Sequence, residues 1–324
     1  MTHAMRVHEY GGPEVMRWEE VEIGTPGPGE AKIKQSAVGL NFIDVYTRKG
    51  LYPQPSFPFV PGFEGAGEVL AVGEGVSDIA VGDRVAYAGA VGAYAEERLI
   101  PADKLVKIPD GVTDEVAAAA MLKGMTAEAL LKQVYRVGPE TVMLYHAAAG
   151  GVGQIATKWA ASLGATVIGT VGSAEKAEIA KANGCAHVIN YRETDFVEAV
   201  KEITDGKGVD VVYDAVGKDT FPASLDCLKK RGLFVTFGNA SGPVPDFSPL
   251  ILSQKGSLYM TRPSLFDYTG TREQLLATAN DLFDAIETGK TSIEIGQRYA
   301  LKDAGQAHAD LEARKTTGST VLLP

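Results

Sequence analysis

The stretch "LYHAAAGGVGQIATKWAASLG", residues 144–164, decides the fold. Its apolar opening reads as the end of a strand, its small residues as a turn, and "GQIATKWAASLG" as an amphipathic helix closed by glycine. The dinucleotide fingerprint is G-x-G-x-x-G, and its three positions fall on Ala148, Gly150 and Gly153. The first needs only a small residue in a tight turn, so Ala148 is acceptable at negative φ. Gly150 lets the backbone approach a pyrophosphate, and Gly153 lets the helix pack closely on the strand. The N-terminus of that helix offers free N–H groups and a positive dipole end to phosphate. The stretch reads as a variant nucleotide-binding loop.

Its surroundings support that reading. Between residues 140 and 262 the apolar segments "TVMLYHA", "TVIGTVG", "HVINY", "VDVVYDAVG", "LFVTFGN" and "SLYMTR" alternate with helical patterns. Those patterns are "GQIATKWAASLG", "AEKAEIAKANG", "DFVEAVKEITDG", "PASLDCLKKRG" and "PLILSQKG". Such a beat implies βαβ units and a doubly wound parallel sheet covered on both faces. The first 120 residues instead hold short strands broken by Gly and Pro, among them "EAKIKQSAVGL", "EGAGEVLAVGEGV", "GDRVAYAG" and "GAYAEERLI", a β-rich domain. "EVAAAAMLKGMTAEALLKQ" is a helix leading into the α/β part. After residue 262 come a long helix, "TREQLLATANDLFDAIETG", then a helix and a strand returning to the first domain.

Composition bounds the partners. The chain has 324 residues, 45% hydrophobic and 22% charged, as a globular protein of one large or two smaller domains would. Its formal charge is −10 with no basic cluster, which argues against nucleic acid or an anionic membrane as the main partner. The first 20 residues lack the apolar core of a signal peptide, and the two cysteines, Cys185 and Cys227, suit a reducing compartment. A cytoplasmic location is expected.

The cofactor can be narrowed further. An NAD enzyme places an acid about 20 residues past the glycines, at the end of the second strand. That position falls on Gly172 and Ser173, with Lys176 one turn later and Tyr191 ending the third strand. Without the acid, and with hydroxyl and ammonium groups in its place, the site favours the 2′-phosphate of NADPH. The five histidines are scattered and no C-x-x-C occurs, so no zinc site is expected. His146 reads as a packing residue, and the cysteines as small core residues.

The motifs "GLNFIDVYTRKGLY", "PGFEGAGEV", "MLKGMTAEALL", "HAAAGGVGQIA", "NYRETDF" and "FGNASGPV" carry a family resemblance. Over essentially its whole length the chain resembles the zinc-free quinone oxidoreductases, the zeta-crystallin group of the medium-chain dehydrogenase/reductase superfamily. Zinc-dependent relatives carry a ligand Cys where Asn41 stands and G-H-E where "GFE" stands, so Phe63 replaces a ligand. The resemblance implies an α/β architecture: a GroES-like β-rich substrate domain over residues 1–122 and 263–324, and a Rossmann-like doubly wound domain over 123–262. It also implies NADPH as cofactor and a homodimer formed through the last Rossmann strand, near "GSLYMTR".

Carried over residue by residue, adenosine-phosphate contacts fall on Ser173, Lys176, Tyr191 and Arg314, beside the Gly172 reached by counting. The pyrophosphate falls at Gly150, Gly151, Val152 and Gly153, and the nicotinamide meets Asn41, Thr126, Val216, Phe237 and Asn239. Asn41, Tyr46 and Tyr52 form the catalytic side. The implied activity is reduction of quinones by hydride or single-electron transfer. Reduction of an enone or enoyl-thioester double bond is the nearest rival, with Tyr52 placed as proton donor by the pattern N-x-x-D…G-x-Y. A non-catalytic NADPH-binding role, as in lens crystallins, or an RNA-binding role stands as a third possibility, and the acidic charge speaks against RNA.

Overall fold

Alternation and chain breaks in the first 110 residues produce short antiparallel strands, and the continuous apolar runs after residue 140 produce parallel ones. The computed structural model describes residues 2–324. The early strands are β1 (Thr2–Val7), β2 (Met16–Val21), β3 (Glu30–Leu40), β4 (Glu64–Val72), β5 (Arg84–Ala88), β6 (Glu97–Pro101) and β7 (Val106–Lys107). Helix α1 (Phe42–Arg48) follows β3, and α2 (Asp114–Glu128) follows β7. The alternating part runs β8 (Val142–Tyr145), α3 (Gly151–Ser162), β9 (Thr166–Val171), α4 (Ala174–Ala182), β10 (His187–Asn190), α5 (Phe196–Ile203) and β11 (Val209–Asp214). It continues through β12 (Leu228–Thr236), α6 (Leu250–Gln254), β13 (Tyr259–Thr261) and α7 (Leu265–Tyr268). The tail holds α8 (Arg272–Glu287), β14 (Ile295–Ala300), α9 (Ala304–Glu312) and β15 (Ser319–Leu323).

Two compact units result. One comprises residues 2–125, Thr269–Glu287 and Ile293–Pro324; the other comprises Thr126–Tyr268 and Thr288–Ser292. In the first, a seven-stranded sheet has the order β14-β15-β3-β4-β5-β7, with β6 also paired to β3. The eleven-residue β3 is its organising strand, pairing antiparallel with β15, β4 and β6. Ile33, Leu40, Tyr87, Tyr94, Ile100 and Leu105 fill the core beneath it. The tail contributes a strand, β14, that the sequence pattern left unmarked, and it lies parallel to β15.

In the second unit a six-stranded parallel sheet has the order β10-β9-β8-β11-β12-β13. The order reverses at β8, whose C-terminal end is therefore the switch point where such sheets bind ligands. Its central strands β8, β9 and β11 are buried almost throughout, which is why they read as unbroken apolar runs. "PASLDCLKKRG" departs from its helical reading: Ala223–Cys227 form a single 3₁₀ turn, and β12 already begins at Leu228. One turn is enough to bury Leu225 and Cys227, after which Lys229 reaches Asp210 at 2.8 Å from an extended backbone.

The turn at the head of α3 is tight. Ala147, at φ 56, takes the left-handed conformation there, while Ala148 does not. A Cβ on Gly153 would fall inside contact distance of the Ala147 carbonyl and 2.7 Å from the Ala148 carbonyl. Ala normally stabilises a helix by about 1 kcal/mol over Gly. Gly153→Ala should instead lower the unfolding free energy by roughly 1–3 kcal/mol, the cost of overpacking against fixed backbone. Urea titration measures this, and a gain in stability would show that the turn yields.

Candidate active site

The Rossmann-like unit assembles most of the expected cofactor residues at the carboxyl ends of its strands. Gly150 caps α3 with no side-chain hydrogen bond to its N–H groups, so the first turn at Gly151, Val152 and Gly153 presents donors and a positive dipole end. At the end of β9 the chain passes through Gly172 into α4, and Ser173 Oγ accepts the Lys176 N–H at 3.2 Å as the helix N-cap. The Tyr191 hydroxyl lies over Gly172: a Cβ there would stand 2.5 Å from it. Gly172, Ser173, the Lys176 backbone and Tyr191 thus meet in one place, and the acid nearest in sequence, Glu175, lies in the first turn of α4 and not at the strand end.

Two further loops are tied together by a residue that the sequence reading passed over. Asp214, ending β11, is fully buried, and its Oδ1 accepts from the N–H groups of Val216 (2.6 Å) and Gly217 (3.0 Å). Its Oδ2 accepts from the Thr220 hydroxyl at 2.6 Å, and its carbonyl from Phe237 N–H at 2.8 Å. Ser241 closes the arrangement by donating its N–H to the Val216 carbonyl at 2.9 Å. Val216, Phe237 and Asn239 therefore share one braced corner. Thr126 lies half-buried in α2. His146 is buried between the Thr170 and Ser224 hydroxyls, at 3.0 and 2.9 Å, as a packing residue would be. Burial pushes the Cys185 thiol up to about 11 and the Cys227 thiol up to about 12, so both stay neutral core residues.

In the GroES-like unit, Asn41, Tyr46 and Tyr52 gather around α1. Asn41 and Asp44 cap the helix reciprocally, each side chain accepting the other's backbone N–H. The Asn41 amide also donates to Glu64 Oε1 at 2.7 Å, which fixes its orientation. Tyr46 and Tyr52 meet edge to face, with centroids 5.7 Å apart, and Tyr52 is 38% exposed. Arg314 belongs to this unit too; it lies exposed just beyond α9 at φ 59.

Behind α1 runs a buried chain of hydrogen bonds. Arg48 can only donate, so His308 Nδ1, 2.9 Å away, accepts and its Nε2 carries the proton. Nε2–H then donates to the Tyr94 oxygen at 3.0 Å, and the Tyr94 hydroxyl donates to Asp44 Oδ2 at 2.9 Å. Burial, with help from the Arg48 charge, pushes the His308 imidazole down to about 3, so it is neutral. Asp44 is fully buried, its Oδ1 has no partner, and Glu64 is a charged neighbour. Desolvation outweighs its hydrogen bonds and raises its carboxyl to about 7.

With this geometry in view, comparison with known proteins is decisive. Residues 27–110 match the alcohol dehydrogenase GroES-like domain, and residues 151–284 the zinc-binding dehydrogenase family. A quinone oxidoreductase of Pseudomonas aeruginosa is 53% identical over 325 residues, covering 100% of both chains. The chain belongs to the quinone oxidoreductase family of medium-chain dehydrogenases/reductases. A solved Escherichia coli member of that family, complexed with NADPH, superposes with a TM-score of 0.98 at 51% identity, over 99% of this chain and 100% of that one. A 2-haloacrylate reductase of Burkholderia is 48% identical, covering 100% of this chain and 99% of its own. The donor set does not fit the zinc of the second family's description. Asn41 and Phe63 stand where the family resemblance places zinc ligands, and no three His, Cys, Asp or Glu side chains among the described residues come together to hold a metal ion.

Asp44, with an ordinary value of 3.8 and a folded value of about 7, binds a proton in the folded chain that the unfolded chain releases. The stability it contributes is therefore full below about pH 4 and is lost as pH rises to 7, at roughly 1.4 kcal/mol per pH unit. Asp44→Asn keeps the cap acceptor and does not titrate. The difference in unfolding free energy, wild type minus variant, should fall steadily between pH 4 and 7 and level off above 8. A flat difference would show that Asp44 is ionised throughout.

Proposed function

We propose that this chain reduces quinones with NADPH, without a metal ion, using the residues gathered on its two units. One observation carries this: the uncapped N-terminus of α3 stands at the sheet's switch point, beside a strand end that offers Ser173, Lys176 and Tyr191 and has glycine, not an acid, at position 172. The kinship with quinone oxidoreductases, one of them complexed with NADPH, supports it. When bound, the reduced nicotinamide would supply the two electrons and one proton that the acceptor gains as hydride. The chain does the rest. The α3 N–H groups at Gly151, Val152 and Gly153 hold the pyrophosphate, Lys176 with Ser173, Tyr191, Gly172 and Arg314 binds the 2′-phosphate side, and Thr126, Val216, Phe237 and Asn239 orient the nicotinamide. Asn41, locked by Glu64 and Asp44, aligns the acceptor, and Tyr46 and Tyr52 wall its site. In this reading the Rossmann-like unit is the cofactor domain and the GroES-like unit the substrate domain.

The same reading places the protein in the cytoplasm as a homodimer paired through β13. That strand is the edge of the parallel sheet, and its Tyr259 is 62% exposed. No helix among the described residues is long and apolar enough to cross a membrane.

Lys176→Ala tests the cofactor. NADPH should bind more weakly by about 1–3 kcal/mol, the range of a charge-assisted hydrogen bond, while NADH is nearly untouched. Isothermal titration with both cofactors measures this, and equal losses would remove Lys176 from the phosphate site.

A double-bond reductase is the second reading, favoured by the 48% identity to a 2-haloacrylate reductase. Tyr52→Phe separates the two. A quinone collapses to an oxygen-stabilised product that solvent can protonate, so turnover should fall less than about tenfold. A conjugated double bond needs a proton delivered to carbon, and kcat should fall ~10²- to 10⁴-fold. Assays of one quinone and one enone at saturating NADPH decide; a large kcat loss on the quinone would overturn the first reading.

A further inference from the structure

Three donors converge on Glu64, the first residue of β4, which is fully buried. Its Oε2 accepts the Leu122 N–H at 2.6 Å, and its Oε1 accepts both the Asn41 amide at 2.7 Å and the Lys123 ammonium at 2.6 Å. The fold makes room for this carboxylate by leaving position 39 without a side chain. A Cβ on Gly39 would overlap Glu64 Oε1 and stand 2.5 Å from the Ala118 carbonyl.

Lys123 is the one buried lysine among the described residues, at 6% exposure. It sits on α2, separated by Met121 and Leu122 from four consecutive alanines, Ala117 to Ala120. An ammonium so placed loses most of its hydration, and one carboxylate partner replaces only part of it. Glu64 takes one of its three N–H donors. Because its nitrogen and the Asn41 amide nitrogen share a single oxygen, a fixed positive charge and an oriented amide stand side by side. This is the kind of arrangement that stabilises negative charge developing on a substrate oxygen, since it is set before the charge appears and is screened from water.

We propose that Lys123 is the electrophilic residue of the reaction, its ammonium stabilising the acceptor oxygen that becomes negative during reduction. The inference rests on the quinone reading above. The acceptor gains a hydride, that is two electrons and one proton, from the reduced nicotinamide, which leaves oxidised, and so becomes a hydroquinone monoanion. Its charged oxygen faces Lys123, and one proton from solvent then completes the hydroquinone. Lys123 forms no covalent bond and keeps its proton throughout. Glu64 is the positioning residue that holds both donors.

Two readouts test this. Lys123→Met removes the charge and keeps the stem; kcat on a quinone should fall about 10²-fold with KM little changed, the signature of losing a donor to a developing oxyanion. Lys123→Arg should recover activity to within about tenfold of wild type, and the dissociation constant for NADPH should be the same in all three. The second readout needs no turnover. 4-Nitrophenol, whose ionised form is yellow, imitates the charged product, and wild-type protein should lower its apparent pKa on binding by about one unit, with or without NADPH. Lys123→Met should abolish that shift. Retention of kcat within about threefold in Lys123→Met would overturn the assignment, as would equal binding of phenol and phenolate by wild type. The wild-type measurement decides even where the Met variant does not fold. Failure of wild type to reduce any quinone would count against the proposed function, while a phenolate shift dependent on Lys123 would still uphold the electrophile.

Discussion

The buried carboxylate of Glu64 is the constraint on which the arrangement of α1 and α2 within the GroES-like unit depends. It joins the start of β4 to the backbone of α2 at Leu122, and it sets the direction of the Asn41 amide and the place of the Lys123 ammonium. Removing one partner from such a cluster leaves an uncompensated buried charge, which costs far more than the intact pair contributes. The arrangement is therefore held as a whole, and a missing Cβ at Gly39 is part of it. A buried ion pair adds little net stability in return; its effect is to fix two donors in advance of any ligand.

The Rossmann-like unit leaves backbone donors at the head of α3 without a side-chain cap. Ala147 carries the left-handed turn that brings the chain from β8 to α3, a conformation that costs a non-glycine residue on the order of 1 kcal/mol or more. The strain sits beside the uncapped helix N-terminus, where phosphate oxygens would satisfy the free N–H groups. Asp214 braces the neighbouring corner in the same spirit, satisfying two backbone donors and one hydroxyl with one buried carboxylate. Both units thus use buried acids to orient other groups.

The polar chain from Arg48 through His308 and Tyr94 to Asp44 connects α9 to α1 and runs in one direction, each group donating to the next. Arg48 continues outward to Glu312 at 2.6 Å, where Lys49 also pairs. Its far end is the Asp44 that caps α1 over Asn41. Proton occupancy at Asp44 is thereby coupled to the N-terminus of α1.

Much of this protein was legible in its chain. The βαβ beat, the glycines at 150 and 153 and the glycine in place of an acid at 172 each follow from residue type and spacing, because a parallel sheet and a phosphate loop impose local requirements. The sequence misled at 222–232, where one turn's worth of apolar spacing suits a 3₁₀ turn and a strand start as well as a helix. What only the tertiary structure decided is the set of buried charged and polar partners. Glu64 and Lys123 are 59 residues apart, and Arg48 and His308 are 260 apart. No periodicity links such residues; a lysine in "MLKG" and an acid in "GFE" are ordinary until the fold removes water from both and leaves each the other's partner.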